Sequence, residues 1–272
     1  MVPLPPETQY VLGVLVAAAL TFAVATRVFL PDVAPVALVR EFRRTDWRYV
    51  GLGGVVTLAC TVVADSLHVD WSFTALVYRL EGPTVAAFQS VTTVVPEWAA
   101  YALTGLCTAA YLVGFPFVVL FTYFKLKAHD ETQARRYAMA YCALVALAVP
   151  LFLLFPVDVP GLYLLDVRPL MLDFNPIVRA GATATDILAG TFPSLPTGLS
   201  VLAALYARNT TDGYARVVGV LAGAVVLSTL YLGVHWLTDA AVAVGLAVVV
   251  YWASQRVDAE RLDRLDPVAR AG

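Results

Sequence analysis

The chain has 272 residues, of which 60% are apolar and only 14% are charged, and its mean hydropathy is +0.76. Soluble domains carry about 25% charged residues, so this composition excludes an ordinary soluble protein and predicts an integral membrane protein. The formal net charge is −2 and the basic residues are dispersed, which excludes the concentrated basic patch that is typical of nucleic-acid binding.

Apolar runs recur along the chain at lengths near the roughly 20 residues that a helix needs to cross a bilayer. The first five are predicted at about Tyr10–Leu30, Tyr49–Leu67, Ala99–Leu126, Tyr137–Phe155 and Leu195–Tyr206. The last apolar stretch, about Val217–Trp252, is too long for one crossing at about 1.5 Å per residue. We expect two spans there that meet near Gly233–Asp239. The predicted fold class is therefore an all-α, polytopic transmembrane bundle of about seven helices.

The basic residues of the loops predict the orientation of this bundle. They concentrate in every second loop and in the tail: Arg40, Arg43, Arg44, Arg48, Lys125, Lys127, Arg135, Arg136, Arg208, Arg216, Arg256, Arg261, Arg264 and Arg270. The opposite side holds only Arg79, Arg168 and Arg179. The positive-inside rule then places the N-terminus outside and the C-terminus in the cytoplasm, as in a multi-pass plasma-membrane protein.

We divide the chain into an N-terminal two-span region (1–98), a helical core (99–255) and a cytoplasmic tail (256–272). Two long outer connections, about Asp70–Trp98 and Val157–Pro193, are where a site open to the outer leaflet is expected. Within the first, Trp71–Val91 is compatible with an interfacial helix or with packing over the bundle. The cysteines, which all lie in apolar stretches, read as buried hydrophobes and not as a disulfide framework or a metal site: Cys60, Cys107 and Cys142. No metal or cofactor is expected.

Few residues of the chain could carry chemistry, and only three of them are histidines. His129 lies in a predicted cytoplasmic loop, and His68 lies at the outer end of the second span. His235 lies at the outer turn between the last two spans, four residues before Asp239. Residues at i and i+4 face the same way on a helix, so Asp239 is placed to hold the His235 ring. Such a pair is either functional or a structural pair at a helix turn.

The segment Phe192–Gly198 predicts a helix start on the outer side. Pro196 suits a first helical turn, and either Ser194 or Thr197 is suited to cap it. A helix start presents free N–H groups and a positive dipole end, which together favour an anion. An ordinary capped helix start would have the same sequence, but this one shares its side of the membrane with the His–Asp turn.

These motifs resemble the type-2 phosphatidic acid phosphatase superfamily. The carrying residues are Pro193-Ser194-Leu195-Pro196-Thr197 and, further on, Ser228-x6-His235-x3-Asp239. The closest likeness is to the branch of inositol phosphorylceramide synthases, whose second motif reads Pro-Ser-Leu-His-Ser/Thr. The resemblance covers roughly Val157–Trp252. It implies that His235 attacks the substrate phosphorus, that Asp239 orients the ring, and that Ser194 binds phosphate oxygens. Further expected phosphate contacts are Thr197, Arg168, Arg179 and Ser228.

Three positions depart from the family pattern. The second-motif histidine, which protonates the leaving group, is replaced by Pro196, and the third-motif arginine is replaced by Thr229. The first motif, Lys-x6-Arg-Pro, is matched only by Arg168-Pro169, because its lysine position is Gly161. Loss of a general acid typically removes about 10²–10⁴-fold in rate. His68 is a candidate substitute acid.

Three classes of function remain open from the sequence. The first is an outward-facing phosphatase or phosphotransferase of lipid metabolism that acts on a lipid monophosphate or diphosphate in the bilayer. The second is a catalytically silent relative that binds lipid phosphates. The third is a small-molecule transporter, although no internal repeat supports it. A retinal protein is excluded because the last span has no lysine.

Overall fold

The structure is a computed structural model that describes residues 4–55, 58, 71–184 and 192–258. Every regular element in these residues is helical. In chain order the helices are α1 (Pro6–Phe29), α2 (Pro35–Glu41), α3 (Thr74–Gln89), α4 (Val91–Val94), α5 (Glu97–Ala109), α6 (Phe115–His129), α7 (Glu131–Leu154), α8 (Pro160–Tyr163), α9 (Leu170–Phe174), α10 (Pro176–Ala184), α11 (Leu195–Ala207), α12 (Asp212–Tyr231) and α13 (Leu237–Gln255). A π-helical turn, Phe42–Asp46, leads from α2 into helical residues 47–55, and another, Ala110–Gly114, joins α5 to α6.

Five helical stretches in these residues are long and apolar enough to cross a membrane: α1, the run Glu97–His129 through α5 and α6, α7, α12 and α13. Helix α11 is apolar but has only 13 residues. Large apolar side chains cover the exposed surfaces of the long helices, for example Leu20 at 62% exposure and Val220 at 73%. Apolar surface on that scale fits contact with lipid and not with water. The protein is therefore a helical membrane protein.

The predicted spans can be compared with these helices wherever the chain is described. The first, third, fourth and fifth spans match α1, the Glu97–His129 run, α7 and α11, with ends that shift by a few residues. The break predicted inside Val217–Trp252 is confirmed, because α12 ends at Tyr231 and α13 begins at Leu237. The second predicted span lies mostly outside the described residues. The total of seven spans and the orientation of the termini remain predictions.

Local signals explain where several helices begin. The Asp130 side chain caps α7 by accepting the Thr132 and Gln133 N–H groups at 2.9 and 3.2 Å. Proline occupies the first turn of α1, α6, α8 and α11, where its missing N–H removes no helical hydrogen bond. Helix α1 ends before Pro31, which cannot continue the pattern of hydrogen bonds.

Helix α11 lies at the centre of the bundle and packs against α6, α7, α12 and α13. The approach of α11 to α13 is close at Gly198, where an added Cβ would lie 3.3 Å from the Ala243 carbonyl oxygen. Buried tyrosines find hydrogen-bond partners in this core: Tyr137 donates to the Val119 carbonyl at 2.8 Å, and the Tyr214 hydroxyl lies 2.9 Å from that of Thr122. This packing fixes the start of α11 beside the start of α13.

Candidate functional site

The connection between α12 and α13 is a tight turn built around a glycine. Gly233 has φ +70°, in the left-handed region that favours glycine. A Cβ there would lie 2.8 Å from the Arg168 carbonyl oxygen and 2.9 Å from the Gln89 side-chain nitrogen. The Thr229 carbonyl accepts the N–H groups of Val234 and His235 at 3.2 and 3.1 Å, which closes the turn. The backbone of the histidine turn is thus held by hydrogen bonds to the Thr229 carbonyl and by close packing of Gly233 against Arg168 and Gln89.

His235 and Asp239 form the pair that their spacing predicts. His235 Nδ1 lies 3.3 Å from Asp239 Oδ2, and both residues are buried, with the histidine 6% exposed and the aspartate fully enclosed. The same Oδ2 accepts the Trp236 N–H at 2.9 Å, which ties the carboxylate to the first turn of α13. Since Nδ1 faces the carboxylate, Nε2 is the ring nitrogen directed away from Asp239.

The start of α11 adjoins this pair. Ser194 is the residue that caps α11: its Oγ accepts the Thr197 N–H at 3.4 Å and donates to the Thr197 hydroxyl at 3.0 Å. The Ser194 backbone N–H donates to the Asp239 carbonyl at 3.2 Å. The helix start and the His–Asp pair, 41 positions apart by residue number, are therefore joined by one backbone hydrogen bond. Ser194 and Thr197 are fully buried.

The two predicted outer arginines share one carboxylate. Arg168 donates to Asp173 Oδ2 through Nε and an Nη group at 3.1 and 3.0 Å, and Arg179 donates to Oδ1 at 2.6 Å. The arginine side chains are 71% and 58% exposed. This trio carries a formal charge of +1, so it retains attraction for an anion while Asp173 holds both guanidinium groups in place.

Gln89 anchors the Arg168 segment to the histidine turn. Its amide nitrogen donates to the carbonyls of Arg168 and Tyr231 at 2.7 and 3.0 Å, and its amide oxygen accepts the Arg168 N–H at 2.9 Å. A further bond, from the Gly161 N–H to the Gly233 carbonyl at 2.8 Å, joins the same two segments. The backbone at the start of the Arg168–Asp173–Arg179 cluster is therefore fixed against the turn that carries His235.

A second carboxylate lies at the start of α13. Glu81, on α3, is 6% exposed, and its two oxygens lie 3.1 and 3.0 Å from the Thr238 N–H. Burial raises the pKa of Glu81 above its ordinary value, Asp239 nearby also raises it, and the hydrogen bonds from the helix start partly oppose them. Sequence motifs gave no signal for Glu81, Gln89 or Asp173.

One comparison with known proteins matched. The model of the PAP2 superfamily matches residues 86–253, which is more than half of the chain. The chain belongs to the PAP2 superfamily. No curated protein and no solved structure matched. The PAP2 match covers Gln89, both predicted outer arginines, the α11 start and the His–Asp turn.

Two departures from the motifs of the PAP2 superfamily have a structural counterpart. At Gly161, where the resemblance expects lysine, a Cβ would lie 2.9 Å from Pro169 backbone atoms and 3.0 Å from the Gly233 carbonyl. This backbone arrangement leaves no room for a side chain. Pro196, in the place of the proton-donating histidine, lies in the first turn of α11, where it fits the helix start but carries no proton.

The remaining predicted residues lie elsewhere or outside the described chain. Ser228 is buried on α12, and its hydroxyl donates to the Ala224 carbonyl at 2.6 Å. Its part in phosphate binding stays a prediction. His129 is exposed at the end of α6. His68 and Cys60 lie outside the described residues, while Cys107 and Cys142 are half-buried. Within the described ranges no group of His, Cys, Asp and Glu could hold a metal ion.

The large groove of the described surface is not this site. It has a volume of about 1000 Å³ and runs between α11 and α12, from Arg208 and Arg216 at their connection toward Leu227. No residue of the histidine turn, 232–236, lines this groove.

Proposed function

We propose that this PAP2 protein is a membrane-embedded lipid-phosphate phosphatase or phosphotransferase that uses His235 as its nucleophile at the outer face of the plasma membrane. The observation that carries the proposal is the 3.3 Å contact between His235 Nδ1 and Asp239 Oδ2, beside the capped start of α11. A neutral imidazole whose Nδ1–H donates to a carboxylate has an unprotonated Nε2, and that is the form that attacks phosphorus.

The proposed reaction has two steps. His235 Nε2 attacks the phosphorus, the bond to the leaving oxygen breaks, and a phosphohistidine forms while Asp239 stabilises the charged ring. Water or an alcohol then attacks this phosphorus, the P–N bond breaks, and the imidazole is restored. The α11 N–H groups and the outer arginines would stabilise the charge on the phosphoryl oxygens. Transfer to an alcohol would correspond to the branch of inositol phosphorylceramide synthases.

A second candidate is a silent relative that binds lipid phosphates without cleaving them. It is favoured by Pro196, which cannot protonate a leaving group where the family has a histidine. In that case the histidine turn and the Arg168–Asp173–Arg179 cluster would bind the lipid phosphate without cleaving it. A diphosphate-linked lipid would suit the catalytic reading better than a monophosphate, because its leaving group needs less protonation.

The test is phosphate release from a panel of lipid monophosphates and diphosphates by purified protein in detergent. Wild type should release phosphate, with and without an alcohol acceptor, and His235→Ala should abolish release. His129→Ala is the matched control, because that histidine is exposed at the far end of α6, and it should retain full activity. Phosphate binding without release in wild type would favour the silent relative, and release that survives His235→Ala would refute the proposed nucleophile.

Sidedness requires its own measurement. In oriented vesicles, a membrane-impermeant thiol reagent should label a cysteine introduced at Leu165 from outside and one introduced at Arg208 only after permeabilisation, in a background without native cysteines. The reverse pattern would invert the proposed orientation. Leu165 is fully exposed in the connection between α8 and α9, and Arg208 lies exposed after α11.

A further inference from the structure

Two carboxylic acids are buried in the part of the chain that the structure describes, and both lie at the start of α13. Asp239 is engaged by the His235 ring and the Trp236 N–H. Glu81 reaches the same helix turn from α3, with its oxygens 3.1 and 3.0 Å from the Thr238 N–H. Two buried acids in different surroundings at the start of one helix form an arrangement that catalytic sites use to separate an acid from a base.

We propose that Glu81 is the proton donor of this site, and that it supplies the leaving oxygen with the proton that Pro196 cannot give. The inference rests on the proposed phosphatase function. It assigns a catalytic role to a residue on α3, outside the PAP2 motifs and before the first residue of the family match.

The position of Glu81 follows from the direction of the helix-start N–H groups. The first N–H groups of a helix point away from its body, toward its N-terminal end. A carboxyl group that accepts the Thr238 N–H therefore lies at the same end of α13 as His235, which precedes the helix by two residues. Asp239 occupies Nδ1 of the ring, so a phosphoryl group on Nε2 would lie away from Asp239, and Glu81 is the second buried acid at this helix start.

The surroundings of Glu81 favour its protonated form. Burial raises the pKa of Glu81, and the adjacent Asp239 raises it further, while hydrogen bonds from Thr238 and Leu237 act in the opposite sense. Within the described chain no arginine or lysine forms an ion pair with Glu81. A carboxylic acid whose pKa is raised retains its proton to higher pH, which suits it to protonate a leaving group.

The proton balance of the reaction is complete with this residue. In the first step, His235 Nε2 forms a bond to phosphorus, the bond from phosphorus to the leaving oxygen breaks, and the Glu81 proton moves to that oxygen. In the second step, water attacks the phosphohistidine, the Glu81 carboxylate takes one water proton, and the P–N bond breaks. The site returns to a protonated Glu81 and a free imidazole, and the products are an alcohol and inorganic phosphate.

The experiment compares two substrates that differ in their need for an acid. A long-chain alkyl phosphate has a poor leaving group, whereas 4-nitrophenyl phosphate has a good one. Glu81→Gln keeps an oxygen to accept the Thr238 N–H but loses the proton. We expect kcat on the alkyl phosphate to fall by about 10²–10⁴-fold and kcat on the aryl phosphate to fall by less than about tenfold. The matched control is Glu97→Gln, an exposed glutamate at the start of α5, which should change neither rate.

Each outcome decides between roles. An equal loss on both substrates, with wild-type thermal stability, would show that Glu81 only positions the His–Asp pair and would overturn the proposal. Unchanged rates on both substrates in Glu81→Gln would also overturn it while leaving the phosphatase function intact. If wild type cleaves neither substrate nor any lipid phosphate of the panel, the phosphatase function itself fails, and the role of Glu81 fails with it.

Discussion

Replacement of Gln89 tests whether the histidine turn depends on the outer loops. Gln89 is 6% exposed and makes hydrogen bonds to the Arg168 N–H, the Arg168 carbonyl and the Tyr231 carbonyl. Gln89→Leu preserves the approximate volume of the side chain and removes all these bonds. We expect it to destabilise the protein and to loosen the attachment of the arginine segment to the turn.

The magnitude follows from three backbone groups that would lose their partner. A buried group left unpaired costs about 1–3 kcal/mol, and the partly exposed Arg168 segment allows water to replace some of the loss. We therefore expect about 2–4 kcal/mol of destabilisation, which corresponds to a fall in Tm of roughly 5–15 °C at about 2–4 °C per kcal/mol. Gln89→Glu should be at least as harmful, because it places a carboxylate oxygen against two carbonyl oxygens.

The assay is thermal unfolding in detergent, read by intrinsic fluorescence or by a thiol-reactive dye. The control is Gln9→Leu, since Gln9 is a glutamine with one exposed hydrogen bond to the Leu4 carbonyl, and its Tm should stay close to that of wild type. A Tm for Gln89→Leu within about 2 °C of wild type would refute the reasoning, because the three bonds would then contribute nothing net to the folded state.

Three further predictions concern the same region. Gly233→Ala should lower the free energy of unfolding by about 2–4 kcal/mol, because a φ of +70° is strained for alanine and the added Cβ would lie 2.8 Å from the Arg168 carbonyl oxygen. The control is Gly219→Ala, whose Cβ meets open space and which should be neutral or stabilising in the same unfolding assay. The folded-state pKa of Glu81 is raised above the ordinary 4.5, so the folded protein binds this proton more tightly than the unfolded chain. The contribution of Glu81 to stability is therefore fully present below pH 4.5 and is lost as pH rises through the folded-state pKa. Glu81→Gln should remove the decline in Tm between these two pKa values. Asp173→Asn should free both arginines and tighten inhibition by inorganic phosphate about two- to fivefold, and weaker inhibition would mean that Asp173 is needed to hold them in place.

Local sequence signals predicted the long apolar helices of the described chain, the start of α11 and the His235–Asp239 contact. Apolar runs predicted α1, the Glu97–His129 stretch, α7 and α11, and the polar segment near Gly233 predicted the break between α12 and α13. The i, i+4 spacing gave the His235–Asp239 contact, and the Ser-x-x-Thr pattern left two candidates for the cap, of which the structure selects Ser194. These features depend on residues that lie within one or two helical turns of each other.

The rest of the site depends on contacts between residues that are far apart in the sequence. Gln89 reaches Arg168 and Tyr231 over 79 and 142 positions, and Glu81 reaches Thr238 over 157. Both side chains lie on α3, a helix that the sequence left open between an interfacial role and packing over the bundle. In the structure α3 contacts α12 and α13, so it packs on the site. The sequence did not predict the contacts of Gln89 or Glu81, so neither residue was identified as part of the site.

The presence of the PAP2 motifs and the presence of catalytic activity are separate questions in this protein. Ser194 caps α11 with its side chain, and the Asp239 side chain accepts the Trp236 N–H, so both side chains have a structural role whether or not phosphate is cleaved. Pro196 is likewise a good residue for a helix start, so its presence there stabilises the same framework. The histidine turn would therefore look the same in an enzyme and in a silent relative. What separates the two is a proton available to the leaving oxygen, and in the described chain the buried carboxyl group of Glu81 is the one placed at that turn without being committed to His235.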